Sequence, residues 1–164
     1  MVETDQIWQA LTEIMDPEIP VISLVEMGII RDAQRIDDSV TVTMTPTFSG
    51  CPALLMMEEL IVEKMAELGF EECHVQKQMN PPWTSDWITE AGRAKLKKFG
   101  VVPPQQHGGK IEILLYDSMD EMSIKCPYCE STKTERKNDF GPTLCRSIWY
   151  CNACQQPFEQ FKAL

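Results

Sequence analysis

At 164 residues and 43% hydrophobic content, the chain has room for one compact domain with a small appendage and enough apolar material for a normal core. Its formal charge of -10 sits mostly in residues 1–100, where 8 Lys/Arg face 17 Asp/Glu, and a surface this acidic repels phosphate backbones and argues against nucleic acid as a ligand. No run of about 18 apolar residues is present, so no membrane partner is expected.

The start, Met1-Val2-Glu3-Thr4-Asp5, is acidic and so unlike the basic start of a secretory leader. The expected location is cytoplasmic, where thiols stay reduced. Seven cysteines there point to metal or thiol chemistry rather than disulfides.

Taken in chain order, Ile7, Leu11 and Ile14 fall on one face and predict a helix over Glu3–Met15. Asp16-Pro17-Glu18-Ile19-Pro20 ends it, since the residue before a proline avoids the helical region. Gly28 marks a turn, and Val40, Val42 and Met44 alternate with Thr41 and Thr43 as a half-buried strand. Thr45-Pro46-Thr47-Phe48-Ser49-Gly50-Cys51-Pro52 reads as a strand-to-helix turn, with Pro52 at the first helical position.

Ala53–Leu68 is the second predicted helix, striped by Leu54, Met57, Ile61, Met65 and Leu68 and capped by Gly69. A short strand over Cys73–Met79 follows. A third helix is expected from Thr84 or Ser85 through Lys98, with Trp83 and Trp87 packing it. Residues 101–109 read as a linker between a first domain, 1–100, and a second, 110–164, which opens with a strand over Lys110–Tyr116.

Cys126-Pro127-Tyr128-Cys129 and Cys151-Asn152-Ala153-Cys154 are two CxxC pairs with 21 residues between them. Each can form a turn that aims both sulfurs at one point, and two such turns close a tetrahedral site of four thiolates suited to Zn2+. So small a domain has little core, and the metal would supply much of its stability, as a structural ion without an open coordination position. Iron on the same thiolates, or a redox dithiol pair, are the rival readings. Cys145 is a fifth cysteine in the loop: a spare buried thiol or a replacement ligand.

Cys51 is the lone cysteine with chemical promise. A position at a helix start favours thiolate, which suits metal ligation or nucleophilic attack; capping or core packing is the plainer reading. His74 and His107, the only histidines, offer little support for a Cys–His hydrolase. Asp16 and Glu18 form an acidic turn whose ordinary role is local hydrogen bonding.

Together these segments resemble a known domain. Asp16-Pro17-Glu18-Ile19-Pro20, Ser23-Leu24, Gly28-Ile29-Ile30, Thr45-Pro46-Thr47 and Gly50-Cys51-Pro52 resemble the iron–sulfur-assembly domain of SufT-like proteins and the eukaryotic cytosolic cluster-targeting factors, and Trp83–Thr89 resembles its closing motif. The tail, with the two CxxC pairs, Phe140-Gly141, Cys145 and Gln156-Pro157-Phe158-Glu159, resembles the PaaD family, the accessory D subunits of phenylacetyl-CoA epoxidase systems. One departure is Glu130, which follows the first CxxC pair where glycine often stands.

The resemblance implies an α+β fold: a small iron–sulfur-assembly-type domain with a C-terminal four-cysteine zinc ribbon. It implies a role in aerobic phenylacetate breakdown, whose oxygenase has a di-iron subunit and a flavin and [2Fe–2S] reductase, and a maturation role rather than a catalytic one. Cys51 then matches the family's cluster-binding cysteine, with Asp16 and Glu18 as the acidic pair, and iron or an iron–sulfur cluster as transient cargo. The implied partners are protein subunits of the epoxidase complex, and a homo-oligomer stays open. A non-catalytic scaffold subunit is the alternative.

Overall fold

The computed structural model describes residues 2–48, 50–104, 106 and 124–162. The strand expected over Lys110–Tyr116 lies outside the described residues. Two compact units divide the chain between Gly92 and Arg93.

The first unit opens with α1, Thr4–Thr12, capped by Glu3, whose backbone N–H donates to Gln6 Oε1 at 2.8 Å. The sequence pattern extends this helix to Met15, but the chain leaves it earlier. The Ile14 carbonyl accepts the Leu24 N–H, and Met15 pairs with Ser23 as an isolated bridge. Ile14 stays buried because an extended chain can also turn its side chain to the core.

Strand β1, Ile30–Ile36, pairs antiparallel with β2, Ser39–Met44. Helix α2, Leu54–Glu67, then crosses to β3, Glu72–Lys77, which runs parallel to β2, so the sheet order is β1-β2-β3. Val40, Val42 and Met44 are buried on β2, Met57, Ile61 and Met65 on α2, and Ile7 and Leu11 on α1; α1 packs on α2 and on β1, and α2 on β3. Each fully buried aliphatic side chain here is worth about 1.5–3 kcal/mol in transfer free energy.

The segment read as one helix from Thr84 to Lys98 is two elements. A 3-10 turn, Ser85–Trp87, begins under the Thr84 hydroxyl, and α3, Glu90–Phe99, begins after a break at Ile88. Ile88 is extended (φ -65, ψ 124) and buried, and the Thr89 N–H donates to the Glu26 carbonyl at 2.9 Å. Tertiary hydrogen bonding and burial of Ile88 override the local helical pattern there.

The second unit holds a four-stranded sheet of order β4-β7-β6-β5. Its strands are β4, Val101–Val102; β5, Thr134–Asn138; β6, Arg146–Cys151; and β7, Gln156–Phe161. Val101 and Val102, which the sequence pattern assigns to the linker, instead pair in parallel with Glu159 and Gln160 of β7. β5-β6 and β6-β7 are antiparallel, and Trp149 stacks on Phe158 with ring centroids 6.4 Å apart. Cys126, Trp149, Cys151 and Phe158 form its core, with Val102, Ile124 and Cys154 packed against them. Among the described residues, no helix is long and apolar enough to cross a membrane.

Candidate functional site

Four sulfurs converge in the second unit. Cys126 Sγ lies 3.6 Å from Cys154 Sγ, and Cys129 Sγ lies 3.6 Å from Cys151 Sγ. All four fall within 4.8 Å of one another. A tetrahedron with zinc–sulfur bonds of about 2.3 Å has edges of about 3.8 Å, so the donor set fits Zn2+. The spacing is far too long for a disulfide.

The backbone explains the convergence. Cys126 starts a turn in which its carbonyl accepts the Glu130 N–H at 2.9 Å; Cys151 starts the matching turn, with the Gln155 N–H donating at 2.8 Å. Glu130 and Gln155, each just after the second cysteine of its pair, both have φ of +59. This left-handed conformation explains why glycine is favoured at such a position, and the fold holds it with two larger residues. At Glu130 the carboxylate also pairs with Lys97 at 3.1 Å.

The thiols differ in acidity. Cys151 is held down to about 7, first by the backbone N–H of Cys154, while burial first of all pushes Cys154 up to about 12. The Cys151 sulfur is thus ready to bind as thiolate, and Cys154 loses its proton only as a metal enters.

Cys145 is buried but stands apart from this group, with its sulfur 3.0 Å from the Thr143 hydroxyl. The same hydroxyl accepts from Arg146 Nε at 2.9 Å, and Arg146 pairs with Glu159 at 2.7 Å. This makes Cys145 a packed thiol beside an ion pair whose arginine is buried and whose glutamate is partly exposed. That pair, like β7 itself, carries no local sequence signal.

In the first unit, Cys51 sits in the turn before α2. Its N–H donates to the Phe48 carbonyl at 3.3 Å, and its own carbonyl accepts the Leu54 N–H at 3.2 Å. Ala53 is the helix cap, so Pro52 precedes the cap rather than occupying the first helical position. Cys51 is half-buried.

Asp16 is buried, and its Oδ1 accepts the backbone N–H groups of Glu18 and Ile19, both at 2.8 Å. It therefore closes its own loop, as turn chemistry predicts. Backbone bonds hold the following segment: Asp16 N–H donates to the Ile22 carbonyl, Ile29 N–H to the Leu24 carbonyl, and Thr45 N–H to the Ile29 carbonyl. The cysteine turn follows the end of β2, where Met44 pairs with Ile30 at the start of β1. Cys73, on β3, is half-buried, and burial raises its pKa, which suits a packing thiol.

Similarity to known proteins follows this division. Residues 4–76 match the family described as iron-sulfur cluster assembly protein, and residues 115–162 match the PaaD zinc beta ribbon domain. A protein of Escherichia coli (strain K12), provisionally named as the D subunit of 1,2-phenylacetyl-CoA epoxidase, is 33% identical over 99% of this chain and 94% of its own length. The chain belongs to the PaaD family.

Its first unit also has relatives without the ribbon. The Fe-S protein maturation auxiliary factor YitW of Bacillus subtilis (strain 168) is 31% identical over 56% of this PaaD-family chain and 91% of its own length. The crystal structure of a domain of unknown function, DUF59, from Bacillus anthracis covers 56% of the chain and 89% of its own length, with a TM-score of 0.53 at 22% identity. That likeness places the first unit of this PaaD-family chain in the same α+β fold. The expected fold class, an iron–sulfur-assembly-type domain followed by a four-cysteine ribbon, is therefore what the chain has.

Proposed function

We propose that the protein is an accessory maturation factor for a phenylacetyl-CoA epoxidase, helping to deliver iron or an iron–sulfur cluster to the oxygenase complex in the cytoplasm. The observation that carries this reading is the joining, on one chain, of an assembly-factor domain to the ribbon of epoxidase D subunits. The protein performs no turnover itself. Cys51 acts as a thiolate ligand to the cargo, and the loop of Asp16 and Glu18 supplies nearby carboxylate. A single thiolate with exchangeable partners holds metal loosely enough to release it. The ribbon, with zinc held by Cys126, Cys129, Cys151 and Cys154, serves as a docking module for epoxidase subunits.

The test is reconstitution of the epoxidase with wild-type protein or with Cys51→Ser. The variant is expected to fold, keep its zinc and leave the client short of iron. Full iron loading with Cys51→Ser, together with stoichiometric co-purification, would instead support a scaffold subunit; the Escherichia coli relative is itself named as a subunit.

A further inference from the structure

The outward face of α2 carries apolar side chains that are left exposed among the described residues. Met57, Ile61 and Met65 are buried. With about 100° between successive residues, Leu55, Met56, Glu59, Val62, Glu63 and Ala66 occupy an arc of about 120° on the opposite side of the helix. Leu55 is 70% exposed, Met56 53% and Val62 43%. A helix that faces only water keeps its outer side polar; apolar residues on both sides are the pattern of a helix with neighbours on both sides.

The charges on this face point to the kind of neighbour. Glu58 pairs with Lys77 at 3.0 Å and Glu67 with Lys64 at 2.9 Å, whereas Glu59 and Glu63 make no ion pair among the described residues. Two carboxylates one turn apart repel each other and weaken a helix unless cations come to them. They lie between the exposed Leu55, Met56 and Val62.

We propose that this face of α2 docks a cationic amphipathic helix of another protein, its apolar stripe on Leu55, Met56 and Val62 and its Lys or Arg residues on Glu59 and Glu63. A second copy of this chain fits poorly, because a two-fold contact would set Glu59 and Glu63 against themselves. An anionic membrane surface is repelled for the same reason. The face begins directly after the turn of Cys51, so a docked helix lies beside that thiol. The inference stands whether or not Cys51 binds iron.

The test titrates the full-length, zinc-loaded protein with a synthetic helical peptide of about five turns, Leu at heptad a and d positions and Lys or Arg beside them, and follows methyl NMR signals. Shifts are expected to be confined to the methyls of α2. Leu55→Ser/Val62→Ser should weaken binding about tenfold or more, and Glu59→Gln/Glu63→Gln should weaken it severalfold, most at low salt. A peptide with Glu in place of its basic residues should not bind. Circular dichroism and zinc content of the variants, all changed at exposed positions, should match wild type.

Equal affinity in the variants, or shifts elsewhere, would overturn the proposal. So would α2 methyls already shielded from a soluble paramagnetic agent in the free protein, meaning that the face is covered within the chain. A dimer dispersed by Leu55→Ser/Val62→Ser would overturn it too, by making the occupant a second copy.

Discussion

The indole N–H of Trp83 donates to the carbonyl oxygen of Met27 at 3.1 Å, across 56 positions of chain. The next residue, Gly28, has φ of +69, and a Cβ added to it would stand 2.6 Å from Cβ of Trp87. Both tryptophans of one short segment therefore close over one turn, which also leads into β1. The motif is a latch on the first unit.

Trp83→Phe keeps the ring and leaves the Met27 carbonyl without its donor. We expect a loss of about 1–2 kcal/mol in urea unfolding. Gly28→Ala should cost more, about 2–4 kcal/mol, since it adds a strained φ to a backbone clash. Wild-type stability in both variants would refute the latch.

Cys126→Ser should abolish stoichiometric zinc and unfold the ribbon, while the α/β signal of the first unit persists. Removing one thiolate from a four-thiolate site leaves a three-sulfur site with a weak hydroxyl ligand. Cys145→Ser should keep about one zinc per chain, because that sulfur bonds Thr143 and not the metal group. Metal analysis of the two purified variants decides it; zinc loss in Cys145→Ser would make that residue a ligand.

Zinc affinity should rise with pH. Bound zinc needs all four sulfurs as thiolates. Cys151, at about 7, is mostly thiolate above that pH, but Cys154, at about 12, gives up its proton only to the metal. Falling pH therefore lets protons compete, first at Cys154 and, below about 7, at Cys151 as well. Competition with a chromophoric chelator at several pH values should show affinity climbing from acid to mildly alkaline solution. Calorimetry in buffers of different ionisation enthalpy should show proton release on binding. A flat pH profile would contradict it.

Glu159→Gln should destabilise the ribbon by about 1–3 kcal/mol, because Arg146, whose side chain is 7% exposed, loses its ion partner. The value is set below that of a fully buried pair because the Glu159 side chain is 27% exposed. Arg146→Met/Glu159→Leu should cost less than the two single changes summed, since neither charge is then stranded. Thermal unfolding of the zinc-loaded protein measures all four variants, and simple additivity would mean the pair is not coupled.

Much of this molecule can be read locally. The alternation of Val40, Val42 and Met44 marks β2, and the spacing of Met57, Ile61 and Met65 marks the core face of α2. Other elements have no local signature. Two valines cannot announce a strand, and β4 exists only because Glu159 and Gln160 lie alongside it. Pro157 argues against β7, yet is tolerated where β4 does not reach, since its missing N–H has no partner to satisfy there. The break at Ile88 comes from Glu26, more than sixty residues earlier, taking the Thr89 N–H.

The sequence by itself singled out the four cysteines whose sulfurs converge, because two CxxC turns are local structures that aim both of their sulfurs the same way. It also determined the family, and with it the pairing of an assembly domain to a ribbon. Only the tertiary structure decided what becomes of residues whose partners are far away in the chain. Cys145 is a buried thiol on Thr143, Asp16 closes its own loop, and Leu55, Met56 and Val62 are left facing outward. Burial and hydrogen bonding are properties of neighbours in space, and for these residues neighbours in sequence do not reveal them.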